Sequence, residues 1–201
     1  MKCQALLAIA LLLAITISGF GKSLSEEKQR LQMLRTETVK IMQLTAIDQA
    51  YLDTYSLLSD DNQCSRFFAG SGSRLVLDEL VIRLRVRVLS DSGIGIRMTG
   101  TFTNLIEPQE GIAYRLFKQA EINRDGAFYK SNFYERLIPG MGKFPPNTRG
   151  VRVLMLLHEL AHLIKGSDGR WLIPNDGSDA QLSRSNTLTI ESKCEEHIRA
   201  L

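Results

Sequence analysis

The chain has 201 residues, with 25 lysines and arginines against 22 acidic residues and a net charge of +3. A balance so near neutral gives no electrostatic reason to seek nucleic acid, whose phosphates demand a basic face. Only three cysteines and three histidines are present, so each can be weighed on its own.

Residues 1–21 read as a secretory signal. Lys2 supplies the positive start, residues 5–17 the apolar run, and Ser18-Gly19-Phe20-Gly21 the small residues of a cleavage site. The run is short for a spanning helix and lacks a stop-transfer flank, so no stable membrane span is expected once it is removed. The mature chain is then exported, to a periplasm or to the exterior. Residues 22–201 remain, about 180 of them, enough for one domain with its own core. Cleavage also removes Lys2 and Cys3, leaving a net charge of +2 and two cysteines, Cys64 and Cys194. An exported chain with two cysteines is expected to form one disulfide, with two buried free thiols as the alternative. The loop it closes, about 130 residues, makes it worth roughly 4–5 kcal/mol in the chain-entropy model.

Residues 23–58 carry helical spacing: Leu31, Leu34, Ile41, Met42 and Leu44 follow the acidic opening Ser25-Glu26-Glu27. Ser59-Asp60-Asp61-Asn62 breaks this region, and Gly70-Ser71-Gly72-Ser73 punctuates again. A second helix is expected through Leu75, Leu77, Leu80, Val81 and Leu84. The one basic stretch, Arg83-Leu84-Arg85-Val86-Arg87-Val88, alternates charge with apolar residues and reads as a solvated face.

The period then changes. Ile94, Ile96 and Met98 alternate as in a half-buried strand, with Phe102 following. Residues 114–123 and 127–133 flank Arg124-Asp125-Gly126, which reads as a hairpin turn. Residues 137–147 form a Pro/Gly-rich connector, after which Asn147 or Thr148 caps a helix over 149–164. Lys165-Gly166 is expected to end that helix, with a cation near the dipole's negative end and a C′ glycine. A polar loop follows over 166–184, and Ser185 or Asn186 opens a last helix to about residue 199. Helices, a small mixed or antiparallel sheet, and helices again make an α+β fold of one domain.

The helix over 149–164 contains His158-Glu159-Leu160-Ala161-His162 within an otherwise apolar run. Two histidines four apart point from one helical face and can each give a nitrogen to a tetrahedral zinc. Glu159 lies close enough to act as a general base toward a water in that site. In a chain of this composition the pattern arises by chance in only about two of a thousand shuffled sequences. Two core histidines bonded to backbone would explain the imidazoles but not a carboxylate in this apolar setting, since no Lys or Arg lies within one turn of Glu159.

These residues resemble the motif of the zincin metallopeptidases, specifically over residues 155–164, where uncharged residues surround the motif as that clan's longer pattern asks. The resemblance implies a zincin-like domain, a Zn2+ cofactor and a peptide or protein substrate lying along a sheet edge. Metzincins fit less well, because Lys165 stands where their glycine would be and no methionine follows Met155. Peptide deformylases need an upstream cysteine ligand in a Gly-rich strand, which Cys64 lacks.

Catalytic zinc takes three protein ligands and keeps one open position. The downstream carboxylates to consider are Asp176, Glu191 and Asp168. Asp176 sits in Ile173-Pro174-Asn175-Asp176-Gly177, an apolar anchor followed by a tight turn. Glu191 shares a helical face with Leu188, Cys194 and Ile198, and Asp168 has the spacing of a metzincin third ligand. Asp176-Gly177 followed by Ser183-Arg184-Ser185-Asn186-Thr187 looks like the layout of the aspzincins, the deuterolysin-type secreted peptidases, and like small exported bacterial zincin-like proteins. That resemblance favours Asp176. The aspzincin Gly-Thr-x-Asp and its following tyrosine are missing here, which leaves Arg184, Arg170 and Tyr134 to be weighed as oxyanion donors.

Two functions follow from this pattern. One is a zinc-dependent peptidase in which His158, His162 and Asp176 hold the metal and Glu159 is the general base. The other is a catalytically inert zincin-like binding module with a structural zinc.

Overall fold

Thr45 caps the first described helix, α1 (Ala46–Ser59), by accepting the Asp48 N–H while the Asp48 carboxylate accepts the Thr45 N–H. The structure, a computed structural model, describes residues 45–68, 72–90, 95–107, 112–131 and 141–201, and residues 45–201 form one compact unit. The expected export signal of residues 1–21 and the first part of the expected helical region of residues 23–58 lie outside the described residues. So do Gly70, Ser71, Ile94, Tyr134, and the parts of the expected hairpin arm and connector that fall in 132–140. Among the described residues no helix is long and apolar enough to cross a membrane.

The break at residues 59–62 holds its own helix start. Asn62 accepts the Ser65 N–H and opens the short α2 (Gln63–Phe67), which the sequence reading did not contain. Helix α3 (Gly72–Arg83) runs straight into strand β1 (Leu84–Arg87), so the helix expected through Leu84 stops one residue earlier. The alternating Arg/Val run read as a solvated face is largely this strand: Leu84 faces the core while Arg85, Val86 and Arg87 stay exposed.

Strands β2 (Ile96–Glu107) and β3 (Ile112–Asn123) pair antiparallel, from Ile96 opposite Ile122 to Glu107 opposite Ile112. β1 joins the far end of β3 in parallel, Leu84 opposite Ala120, which gives a mixed sheet in the order β1-β3-β2. The β2–β3 register shifts between Thr99 and Phe102, where Gly100 takes a φ of +89° and any Cβ would lie 3.0 Å from the Lys118 side chain.

Residues 127–131 are not the second arm of a hairpin. Both edges of β3 near Asn123 are already taken, by β1 and β2, so the turn at 124–126 leads the chain off the sheet. The Gly126 carbonyl accepts the Tyr129 and Lys130 N–H groups, and Ala127 and Phe128 drop into the core.

Helix α4 (Arg149–Leu163) starts at Thr148, whose hydroxyl accepts the Val151 N–H. Its Arg149 guanidinium grips the buried Asp53 carboxylate of α1 through two 2.6 Å hydrogen bonds. The expected glycine stop is replaced by a switch to extended backbone. Ile164 bridges to Tyr114 of β3, Lys165 bridges to Trp171, and the Lys165 N–H donates to the Ala113 carbonyl. The last helix, α5 (Ala180–Arg199), begins at Asp179, whose carboxylate accepts the Gln181 and Leu182 N–H groups. Ser185 and Asn186 therefore lie inside it, because a carboxylate two and three residues before free amides is a better cap than either.

These elements make the α+β domain expected, with α4 in its middle. It packs against α1, α3, α5 and the sheet, and Val151, Val153, Leu154, Leu156, Leu157, Leu160 and Leu163 are wholly or almost wholly buried. Cys64 on α2 and Cys194 on α5 form a disulfide across 130 residues of chain. Replacing both by alanine should lower stability by about 4 kcal/mol and the melting temperature by about 10 °C. Urea and thermal unfolding of the oxidised parent and the variant measure this. A loss below about 1 kcal/mol would mean that the bond constrains little.

Candidate metal centre

Helical geometry places His158 and His162 one turn apart on α4, both buried, with ring centroids 4.9 Å apart. Their Nε2 atoms face each other at 3.2 Å. The loop after α4 brings a carboxylate to the same point. Ile173 anchors that loop in the core, the Pro174 carbonyl accepts from Asn186 Nδ2, and the Asp176 carbonyl accepts the Asp179 N–H. Asp176 Oδ2 then lies 3.1 Å from His158 Nε2, and Oδ1 lies 3.4 Å from His162 Nε2.

This spacing suits a metal ion. Four ligands at zinc's usual bond length of about 2.0–2.1 Å, tetrahedrally arranged, lie about 3.3 Å from one another. Two observed separations, His158 Nε2 to His162 Nε2 at 3.2 Å and His158 Nε2 to Asp176 Oδ2 at 3.1 Å, match edges of that tetrahedron, and the other carboxylate oxygen lies 3.4 Å from His162 Nε2. Protons fit the group less well. No placement of one proton on each neutral ring makes all three contacts attractive, whereas a cation among the three side chains satisfies them together.

Around this face the polar groups are individually placed. Thr187 Oγ1 lies 3.0 Å from His158 Nδ1, and Asn186 Nδ2 reaches Asp176 Oδ2 at 3.3 Å. The His162 carbonyl, near the end of α4 where helical donors run out, accepts from Arg115 Nε of β3 at 2.9 Å. The same guanidinium stacks on the Trp171 ring, 4.2 Å from its centroid, and Lys165 Nζ lies 5.1 Å from that ring centre.

Burial pushes the Glu159 carboxyl up to about 7, with His158 working against the rise and Asp176 for it, although part of the side chain meets solvent. Burial also lowers His162, against the pull of Asp176. For Asp176 burial works upward, but the two imidazoles against its oxygens outweigh it and hold the carboxyl below the usual carboxylate range.

Of the three carboxylates weighed from the sequence, Asp176 meets the histidines and the other two are engaged elsewhere. Glu191 is buried, but its Oε1 accepts the Lys143 N–H, and its carboxyl packs on Gly142, where φ is +54° and any Cβ would collide with it. Asp168 is exposed; it accepts the Arg170 N–H and pairs with the Arg170 guanidinium at 3.5 Å. His197 sits near the end of α5, outside the group. Arg170 and Arg184 are both exposed, and Tyr134 lies outside the described residues. Among the described residues, His158, His162 and Asp176 form the group whose ligand atoms lie together, all within 4.8 Å.

Arg115 gave no sequence signal, since it arrives from a strand 47 residues away. Thr187 and Asn186 did give one: with Ser183 and Glu191 they place polar residues on the inward stripe of an amphipathic helix, where each must find a partner. Comparison with protein-family models, with curated proteins and with solved structures found no match.

The three carboxylates can be told apart by metal affinity. Asp176→Asn should weaken zinc binding at least a hundredfold, while Glu191→Gln and Asp168→Asn should stay within about threefold of the parent. Competition with a chromophoric chelator, on variants whose circular dichroism matches the parent, measures this. Loss of zinc in Glu191→Gln with retention in Asp176→Asn would exchange the two residues' roles.

Proposed function

We propose that the protein is an exported zinc-dependent metallopeptidase with a zincin-like site. The observation that carries this reading is the convergence of His158 Nε2, His162 Nε2 and the Asp176 carboxylate at separations of 3.1 to 3.4 Å, with Glu159 beside the two histidines on α4. Zinc held by these three residues would supply Lewis acidity toward a water molecule and toward a substrate carbonyl. Glu159 accepts the proton of the attacking water at its carboxylate and returns it to the amine nitrogen of the departing peptide. The two histidines and Asp176 would hold the ion, and Asn186 holds the Asp176 loop by donating to the Pro174 carbonyl and to the Asp176 carboxylate. The Cys64–Cys194 disulfide suits the oxidising compartment to which residues 1–21 would direct the chain.

Glu159→Gln separates hydrolysis from metal binding. The variant should keep one zinc per chain and cleave unfolded casein at least a hundredfold more slowly than the parent. The parent's cleavage should stop on chelation and return with added zinc. Zinc bound without any turnover in the parent would support an inert binding module in place of the peptidase. Equal rates in parent and variant would remove Glu159 from the mechanism.

A further inference from the structure

We propose that Thr187 is a positioning residue that locks His158 in its Nδ1–H tautomer, so that the lone pair of Nε2 points into the three-residue group. The value of that lock to a metal rests on the zinc reading above. The tautomer itself follows from counting protons on the hydrogen bonds.

A threonine hydroxyl has one proton to donate. Thr187 Oγ1 lies 3.0 Å from the Ser183 carbonyl one turn back on α5, and a carbonyl can only accept. We take the hydroxyl proton to go to Ser183, as that contact's geometry allows, so that Thr187 turns a lone pair toward His158. Nδ1 of His158, 3.0 Å away, must then be the donor. A neutral imidazole carries a single N–H, so Nε2 is left bare, facing His162 Nε2 at 3.2 Å and Asp176 Oδ2 at 3.1 Å. Free histidine in water prefers the opposite tautomer, with the proton on Nε2, so the protein is selecting the minor form.

The device is built to hold. Thr187 is fully buried and His158 almost so, and the β-branched side chain bonded to its own helix has little χ1 freedom. His162 has no comparable support, because among the described residues its Nδ1 has no hydrogen-bond partner. The lock thus acts on one of the two imidazoles. For a metal, a ring already carrying its proton on the remote nitrogen needs neither a flip nor a tautomer change before it can ligate.

Two variants of the full chain test this. Thr187→Ser keeps the hydroxyl, and Thr187→Val keeps the shape without it. Long-range 1H–15N spectra of the metal-free protein, at a pH where both rings are neutral, report the tautomer directly. His158 should be Nδ1–H in the parent and in Thr187→Ser, and should shift toward Nε2–H in Thr187→Val. Zinc affinity, measured by chelator competition, should fall ten- to a hundredfold in Thr187→Val and stay within about threefold in Thr187→Ser. A purely structural threonine would change stability without moving the tautomer. An Nε2–H ring in the metal-free parent overturns the proposal, as does an unchanged tautomer or an unchanged zinc affinity in Thr187→Val. If the parent shows the Nδ1–H ring but binds no zinc, the zinc reading falls while the assignment of the lock to Thr187 is supported.

Discussion

The buried residues of α4 are apolar except at two places, His158 and His162. Burying two imidazoles and the carboxylate that meets them costs several kcal/mol unless every polar atom is served. Much of the surrounding structure answers that demand. α5 contributes Thr187 to one ring and Asn186 to Asp176, while β3 contributes Arg115 to the His162 carbonyl. The loop between α4 and α5 folds back so that Asp176 closes the third side.

Both ends of α4 are also fixed. At its start Thr148 caps the first turn and Arg149 is clamped to Asp53, which ties the helix to α1. At its end the backbone passes into bridges with Tyr114 and Trp171 in place of a glycine cap. The disulfide holds α5 to α2, and α5 in turn carries the groups that orient the site. A site supported from helices and a strand keeps its geometry better than one supported from loops, which is the preorganisation that metal binding and hydrolysis both require. Asp176 is the member of the three-residue group that comes from a loop, and Asn186 bonds that loop twice.

The sequence carried the local features well. His158, Glu159 and His162 are legible because helical spacing alone puts the two histidines on one face, and Thr148 is legible as a cap because capping is a matter between near neighbours. The pairing of Cys64 with Cys194 could be read once Cys3 was set aside with the expected export signal. Asp176 was one of three carboxylates, and spacing along a loop cannot say which of them folds back. Most of the differences share one cause, which is long-range competition for hydrogen bonds. Ile164 leaves the helix because Tyr114 of β3 is there to pair with it, and the run from Leu84 becomes a strand because β3 offers a parallel edge. Residues 127–131 fail to form a strand because β1 and β2 already occupy both sides of β3. Asp179 displaces Ser185 and Asn186 as the cap of α5 for a local reason, its carboxylate reaching two amides at once.

X-ray absorption at the zinc K-edge of the zinc-loaded full chain tests the proposed centre most directly. Two imidazole rings, with their multiple-scattering signature, and oxygen ligands at about 2.0–2.1 Å are the expected first shell. A sulfur shell at about 2.3 Å, or a shell of oxygens without imidazole, would contradict it.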